Sequence, residues 1–448
     1  MPFGASAVQT DQHHPLRQFD PARRSSPRAR EAENWMDELH RWEFVLLQGA
    51  VFFAPYIAFR HPSVYITVSD TLFAGAFLLR LYTGRMAAPF AHLTWLWLLG
   101  LLMLTGGLFI GSVFKGDMVR CLTLVAQYSF AYLIVPLILL RRSEHEVIRL
   151  IKCGVWGMVI MCAIGLVLYL SDSGAQTPLF SGSRRFSGFV DNPNAMGILT
   201  VMTLPLLWFL LLSGRMRSVI AIPCMALLVI GIILTSSNTG LYSMVAATLI
   251  FFGGRRNFKT LLALAALGSA VLLFGQDYLP TTFQNRVLSA VQTGDIASAG
   301  TFEDRKELIM EAIGMADENL IVGLGADQYR LVSRYGHPVH NLYLLLLNEG
   351  GGLSLLGYLL ILGVPMLTSM VAYRLPDGKL VMLTTVTTVV VFANALMGQP
   401  HVYGRVWFLF IFLAVSPALI TAGSLRPQPA PALGGSGLAR GSTPSLRT

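Results

Sequence analysis

The sequence predicts an all-α, polytopic integral membrane protein of about twelve transmembrane helices, with a long, partly helical segment between the ninth and tenth. Three observations predict it. Of 448 residues, 54% are hydrophobic and 13% charged, about half the charge of an average soluble domain. Apolar runs of roughly 20 residues, the length that crosses a bilayer, recur along the chain. Lys and Arg gather in alternate links between those runs, as the positive-inside rule requires. A soluble enzyme, a secreted disulfide scaffold and a disordered protein are excluded.

Residues 1–42 read as a cytoplasmic, largely disordered tail. They hold six Arg against six Asp or Glu, and Pro15, Pro21 and Pro27 interrupt them. No apolar stretch starts before about Glu43, so no cleavable signal peptide is expected and the first helix stays as an anchor. Residues 43–275 carry helices one to nine, at about 43–60, 63–82, 89–112, 118–140, 147–171, 194–212, 217–235, 238–254 and 259–275. Residues 276–350 are the longest polar stretch. Residues 351–422 carry the last three helices, at about 351–373, 379–397 and 404–422. The tail 423–448 is rich in Pro, Gly and Ser and reads as cytoplasmic and disordered.

The net charge of +9 would suggest nucleic acid in a soluble domain. Here it is spread over links as a topology signal, and no nucleic-acid partner is expected. Arg80 and Arg85, Arg141 and Arg142, Arg215 and Arg217, Arg255 and Arg256, and Arg374 and Lys379 mark inward links. Cys121, Cys153, Cys162 and Cys224 lie in or beside apolar runs without metal-ligand spacing, and read as small core residues.

Two outward segments, 172–193 and 276–350, carry basic residues against the topology signal, which points to chemistry. In the first, Arg184 and Arg185 precede Asp191-Asn192-Pro193-Asn194. Asp191 or Asn192 suits an N-cap and Pro193 a first turn. The free N–H groups of that helix start and two guanidinium groups suit a diphosphate; the plainer reading is a capped helix with snorkelling Arg side chains. In the second, Thr301-x-x-Asp304 resembles a capping box. A helix to about Met315 then puts Phe302, Ile309, Ala312 and Ile313 on one stripe with Arg305. Gly323-Leu-Gly325 reads as a turn. His337 and His340 follow, then Asn341, Tyr343 and Glu349. The histidines suit a general base or a hydrogen-bonded helix start, and no third ligand completes a zinc set. Asp70, inside the second span, either orients a site cation or contacts backbone N–H groups.

Taken in order, these motifs resemble the O-antigen ligase and polymerase family, over roughly 180–400. The carriers are the Arg-containing loop before Gly-x-x-Asp191-Asn-Pro-Asn194, the Arg305 helix, Gly323-x-Gly325, and His340-Asn341-x-Tyr343 with Glu349-Gly-Gly downstream. The resemblance implies a multi-pass glycosyltransferase of the bacterial inner membrane, with its active site in the periplasm. Its donor is a polyprenyl-diphosphate-linked glycan. Its acceptor is lipid A–core or a second lipid-linked glycan. No cofactor and no obligatory metal is implied. Arg184, Arg185, Asn192 and Asn194 then hold the diphosphate, and Arg305 and His340 are catalytic. Asp70, His337, Asn341 and Glu349 support them. His340 is preferred to His337 because it alone matches the His-Asn element and sits where the loop becomes an apolar helix. The sequence departs from the family at the link between spans seven and eight. The family often has Ser-Arg there, and this chain has Thr235-Ser-Ser-Asn-Thr-Gly240. The rival readings are a twelve-helix transporter and a non-catalytic partner in polysaccharide assembly.

Overall fold

The computed structural model describes residues 27–60, 66–171, 177–288, 302–375, 377–399 and 405–420. Among them every named element is helical, and the only extended pairings are two isolated bridges. The helices are α1 (Pro27–Phe53), α2 (Val68–Tyr82), α3 (Thr94–Phe114), α4 (Met118–Leu139), α5 (Glu144–Leu170), α6 (Pro193–Leu212), α7 (Ser218–Thr235), α8 (Asn238–Gly254) and α9 (Phe258–Phe274). Then come α10 (Phe302–Asn319), α11 (Leu342–Val371), α12 (Gly378–Ala395) and α13 (Arg405–Val415). A helix stands at each sequence-predicted span. Seven of the described helical stretches are long and apolar enough to cross a membrane.

Two boundaries differ from expectation. The first helix already starts at Pro27, inside the predicted 1–42 tail, because the run of Ala, Glu, Met and Leu around Trp35 favours helix and joins the apolar turns without a break. The tenth span begins at Leu342 rather than 351. Gly351, with φ 70° and ψ −176°, marks a kink where two helical pieces meet. The predicted C-terminal tail and Thr301 of the capping-box pattern lie outside the described residues.

The core is ordered around α6. Every residue from Ala195 to Leu210 is buried, as expected for a helix apolar on all sides. α7, α8 and α12 surround it. α3 lies along α11 at very close range: a Cβ on Gly107 or Gly357 would strike backbone of the facing helix. Small residues allow such an approach where lipid supplies no hydrophobic drive between helices. In α4, Pro136 has no N–H to give the carbonyl of Tyr132. The helix widens to a π turn over Phe130–Ile134, and the freed Tyr132 carbonyl accepts Trp97 Nε1–H. Cys121, Cys162 and Cys224 are buried and Cys153 is half-buried, all as free thiols.

The links sort into two ends. At one, Arg142 pairs with Glu43 and Arg215 pairs with Glu144 and Asp377, joining segments predicted to face inward. At the other, Ala58 N–H donates to Phe189 O at 2.7 Å, Lys115 Nζ donates to Asn319 Oδ1 at 3.3 Å, and Arg120 pairs with Asp327. Those segments are all predicted to face outward.

Candidate active site

At the end predicted to face outward the Arg184–Arg185 pair is split. A tight turn closes when Arg184 N–H donates to Ser181 O at 2.8 Å and Ser181 N–H to Arg185 O at 2.9 Å. Arg184 takes a left-handed φ of 55° and is exposed, while Arg185 is buried. Arg185 Nε donates to Thr235 O at 2.9 Å and its Nη2 to Asn194 Oδ1 at 2.6 Å. Asn194 Oδ1 also accepts Ser237 Oγ–H at 3.0 Å. The link between α7 and α8, which has no Arg of its own, thus receives one from the preceding segment. Asn192 is the N-cap of α6: its Oδ1 accepts the N–H of Asn194 at 2.9 Å and of Ala195 at 3.1 Å. Asp191, the other cap candidate, is left-handed and pairs with Arg60 at 3.6 Å.

Next to this turn lies the short helical segment 281–288, where Thr282 Oγ donates to Ser183 O at 3.3 Å. It brings Arg286, which the sequence reading passed over. Burial pushes the Arg185 pKa down to about 10, and the positive charges of Arg286 and Arg305 push it further the same way. Arg305 is lowered by burial and then by Arg286. Three guanidinium groups on three separate segments therefore repel one another at one place. The Nε atoms of Arg286 and Arg305 are buried without a hydrogen-bond partner. Among the described residues, no carboxylate pairs with any of the three. Arg286 had a signal: it is a basic residue in a segment predicted to face outward, the same oddity that singled out Arg184, Arg185 and Arg305.

Arg305 sits on α10, whose buried line runs through Leu308, Ala312 and Asn319. Spacings of three and four residues put Arg305 on that line. The expected stripe was rotated slightly too far, since Ile313 is 50% exposed. Leu308 and Ala312, not Ile313, face the body of the protein, and Arg305 reaches inward as anticipated.

His340 is half-buried. Burial pushes its pKa below the usual histidine value, and Arg305 and then His337 add to the shift. Its imidazole is therefore neutral at pH 7 and free to accept a proton. Asn341 caps α11, its Oδ1 accepting the N–H of Tyr343 at 3.0 Å and of Leu344 at 3.2 Å. Leu342 N–H donates to Leu396 O at 2.9 Å and Tyr343 Oη to Ala393 O at 2.9 Å, pinning the helix start to the end of α12. His337 is exposed beside a turn at Gly336, whose φ is 68°.

The remaining predicted residues have framework contacts. Glu349 is buried; its carboxylate accepts the N–H of Asp327 at 3.0 Å and of Tyr329 at 3.2 Å, and its carbonyl accepts Gly325 N–H at 2.8 Å. It straps the 323–329 loop across the kink of α11. Gly323 is required there, because a Cβ would strike the Glu349 carbonyl. Asp70 forms the capping box of α2, its Oδ2 accepting Thr67 N–H at 2.9 Å, which is the backbone-contact reading. A second residue missed by the sequence reading is Glu311. It accepts Ser333 Oγ–H at 2.7 Å and Arg334 N–H at 2.9 Å, shaping the approach to His337 and His340. Among the described residues no group of three His, Cys, Asp or Glu is set up for a metal.

Cations without carboxylates favour a multiply charged anion, and a neutral imidazole coupled to one of them supplies a proton acceptor. No curated protein matches the chain. Residues 223–359, which contain Arg286, Arg305, His340 and Glu349, match the family model described as O-Antigen ligase, and this match supports for the chain the O-antigen ligase and polymerase family, of membrane glycosyltransferase type, that its ordered motifs resemble.

Proposed function

We propose that this protein moves a glycan from a polyprenyl diphosphate carrier to an acceptor sugar hydroxyl at the periplasmic face of the bacterial inner membrane. The acceptor is lipid A–core for a ligase or a second lipid-linked glycan for a polymerase. The observation that carries the proposal is the convergence of Arg185, Arg286 and Arg305, with no paired carboxylate among the described residues and with Arg305 electrostatically coupled to His340. The guanidinium groups take the diphosphate, each charge-assisted contact contributing about 1.5–3 kcal/mol. Arg286 and Arg185 stand in for the Arg that the Thr235–Gly240 link lacks, and Arg184 meets the outer side of the same anion.

In the reaction the acceptor oxygen forms a bond to the anomeric carbon while the bond from that carbon to the diphosphate oxygen breaks. The electron pair leaves with the polyprenyl diphosphate, where the arginines neutralise the growing charge. The hydroxyl proton goes to His340. Attack opposite the leaving group inverts the anomeric centre. No metal takes part in this scheme. The scheme has twelve transmembrane helices, cytoplasmic termini and residues 276–350 outside, consistent with the sorting of links between the two ends. The test is transfer from a polyprenyl-diphosphate-linked glycan by purified protein in lipid, comparing wild type with Arg305→Ala and Arg305→Lys. Ala is expected to lose most transfer and Lys to restore only part, since it lacks the planar fork. Full activity in Arg305→Ala at normal abundance rejects the site.

A further inference from the structure

We propose that the end of the bundle opposite this site carries a binding site for an anionic phospholipid, in a cleft between the ends of α3, α4, α11 and α13. The cleft encloses about 230 Å³. Leu93, Val371, Leu375 and Leu419 are among its lining residues, together with His92 and Arg141.

Arg141 is the reason to expect an anion. It follows α4 with a left-handed φ of 59°, which separates its side chain from that of Arg142. Arg142 is buried against Glu43 and Glu146. Arg141 has no such partner: among the described residues it forms no ion pair, and its Nε is buried without a hydrogen bond. A buried guanidinium donor left unpaired is costly, so a ligand oxygen is the natural acceptor.

The walls supply the other half of the argument. Val371 is 62% exposed and Leu375 51%, so the cleft opens sideways along apolar surface. The helix ends that form it lie at the end where basic links gather, the end that the positive-inside rule turns towards anionic headgroups. A free phosphate would satisfy Arg141 but not these walls, and a neutral lipid would satisfy the walls but not Arg141. A lipid with net negative charge satisfies both, with its headgroup in the cleft and its chains along Val371 and Leu375. A zwitterionic lipid brings its own cation next to the phosphate and competes poorly.

The experiment is native mass spectrometry of the full-length protein with phosphatidylglycerol and phosphatidylcholine added in equal amounts. Wild type is expected to retain phosphatidylglycerol about tenfold or more over phosphatidylcholine, the ratio expected for one charge-assisted contact. Arg141→Gln should erase that preference. So should Ala418→Phe, which keeps the charge and fills the cleft, of which Ala418 is a lining residue. Arg217→Gln, an exposed basic residue outside the cleft, should keep it. Unchanged retention of phosphatidylcholine in the variants reports that they are folded. The proposal is overturned if wild type holds both lipids equally. It is equally overturned if the preference survives Arg141→Gln or Ala418→Phe, or is lost in Arg217→Gln.

Discussion

The protein buries arginines at both ends, and their surroundings differ in one respect. At the basic end, Arg80 and Arg142 meet Glu43 and Glu146, and His40 joins both carboxylates at 3.0 and 3.3 Å. Arg142 Nε also donates to Ile138 O at 2.7 Å. Charge is compensated there by residues of α1, α2 and α5, so the cluster ties three helices together. At the other end Arg185, Arg286 and Arg305 act on one another electrostatically, and among the described residues no carboxylate pairs with any of the three. In the first cluster the charges are balanced within the protein, although Arg80 Nε has no hydrogen-bond partner; in the second the proposed diphosphate would supply the counter-charge. The two clusters thus differ in counter-charge rather than in the presence of guanidinium groups.

The largest expected effect falls on His340. His340→Ala should lower transfer by about 10²–10⁴-fold, the usual range for general-base help, with donor lipid still bound. His337→Ala should keep more activity. A dead His337→Ala beside an active His340→Ala reverses the assignment.

The basic cluster should respond in stability rather than chemistry. Arg142→Ala leaves Glu43 buried with a reduced set of cations, and breaking such a pair costs about 3–5 kcal/mol. A lower melting temperature and lower membrane abundance are expected. Arg286→Ala should do the reverse. It relieves repulsion, so melting is unchanged or rises, while transfer drops by roughly 10-fold or more through loss of about 1.5–3 kcal/mol of phosphate contact. Thermal melts and transfer rates on the same two variants test the contrast. It fails if Arg286→Ala unfolds the protein or Arg142→Ala leaves it as stable as wild type.

A smaller effect is expected in pH dependence. Because the folded pKa of His340 lies below the ordinary 6.5, the neutral base survives to lower pH, and the acidic limb of kcat should fall below that value. Replacing Arg305 by Gln removes a positive neighbour, so the limb of the residual activity should move up towards 6.5. The linked stability has a definite sign. Between the folded and unfolded pKa values the unfolded chain holds the extra proton, so stability falls as pH drops through that window. A limb that does not move in Arg305→Gln would show that the two groups are not coupled.

Several site residues were legible because their roles are local. Asn192-Pro193 reads as a helix start and Asn192 proves to be an N-cap, since capping involves only the next two or three residues. Asn341, which entered through the family's His-Asn element, is also an N-cap. Asp70 belongs to the same class, although its place inside an apolar run left a site role open. Glu349 entered only through the family resemblance; its partners, Asp327 and Tyr329, lie in a loop about twenty positions earlier in the chain, and no local pattern reveals them. Arg286 was missed because it stands in no motif.

By itself the sequence determined the all-helical membrane architecture, the sorting of links into two ends and the capped start at Asn192-Pro193. Hydrophobic length, the charge bias of the links and backbone capping all act within a few residues along the chain. The tertiary structure decided which member of each arginine pair turns inward. It is the second at both Arg141–Arg142 and Arg184–Arg185, where the first is left-handed. It also decided which cations meet and which have a carboxylate within reach. Those outcomes depend on side-chain direction and on groups distant in sequence, and Coulomb energy is set by separation in space rather than along the chain.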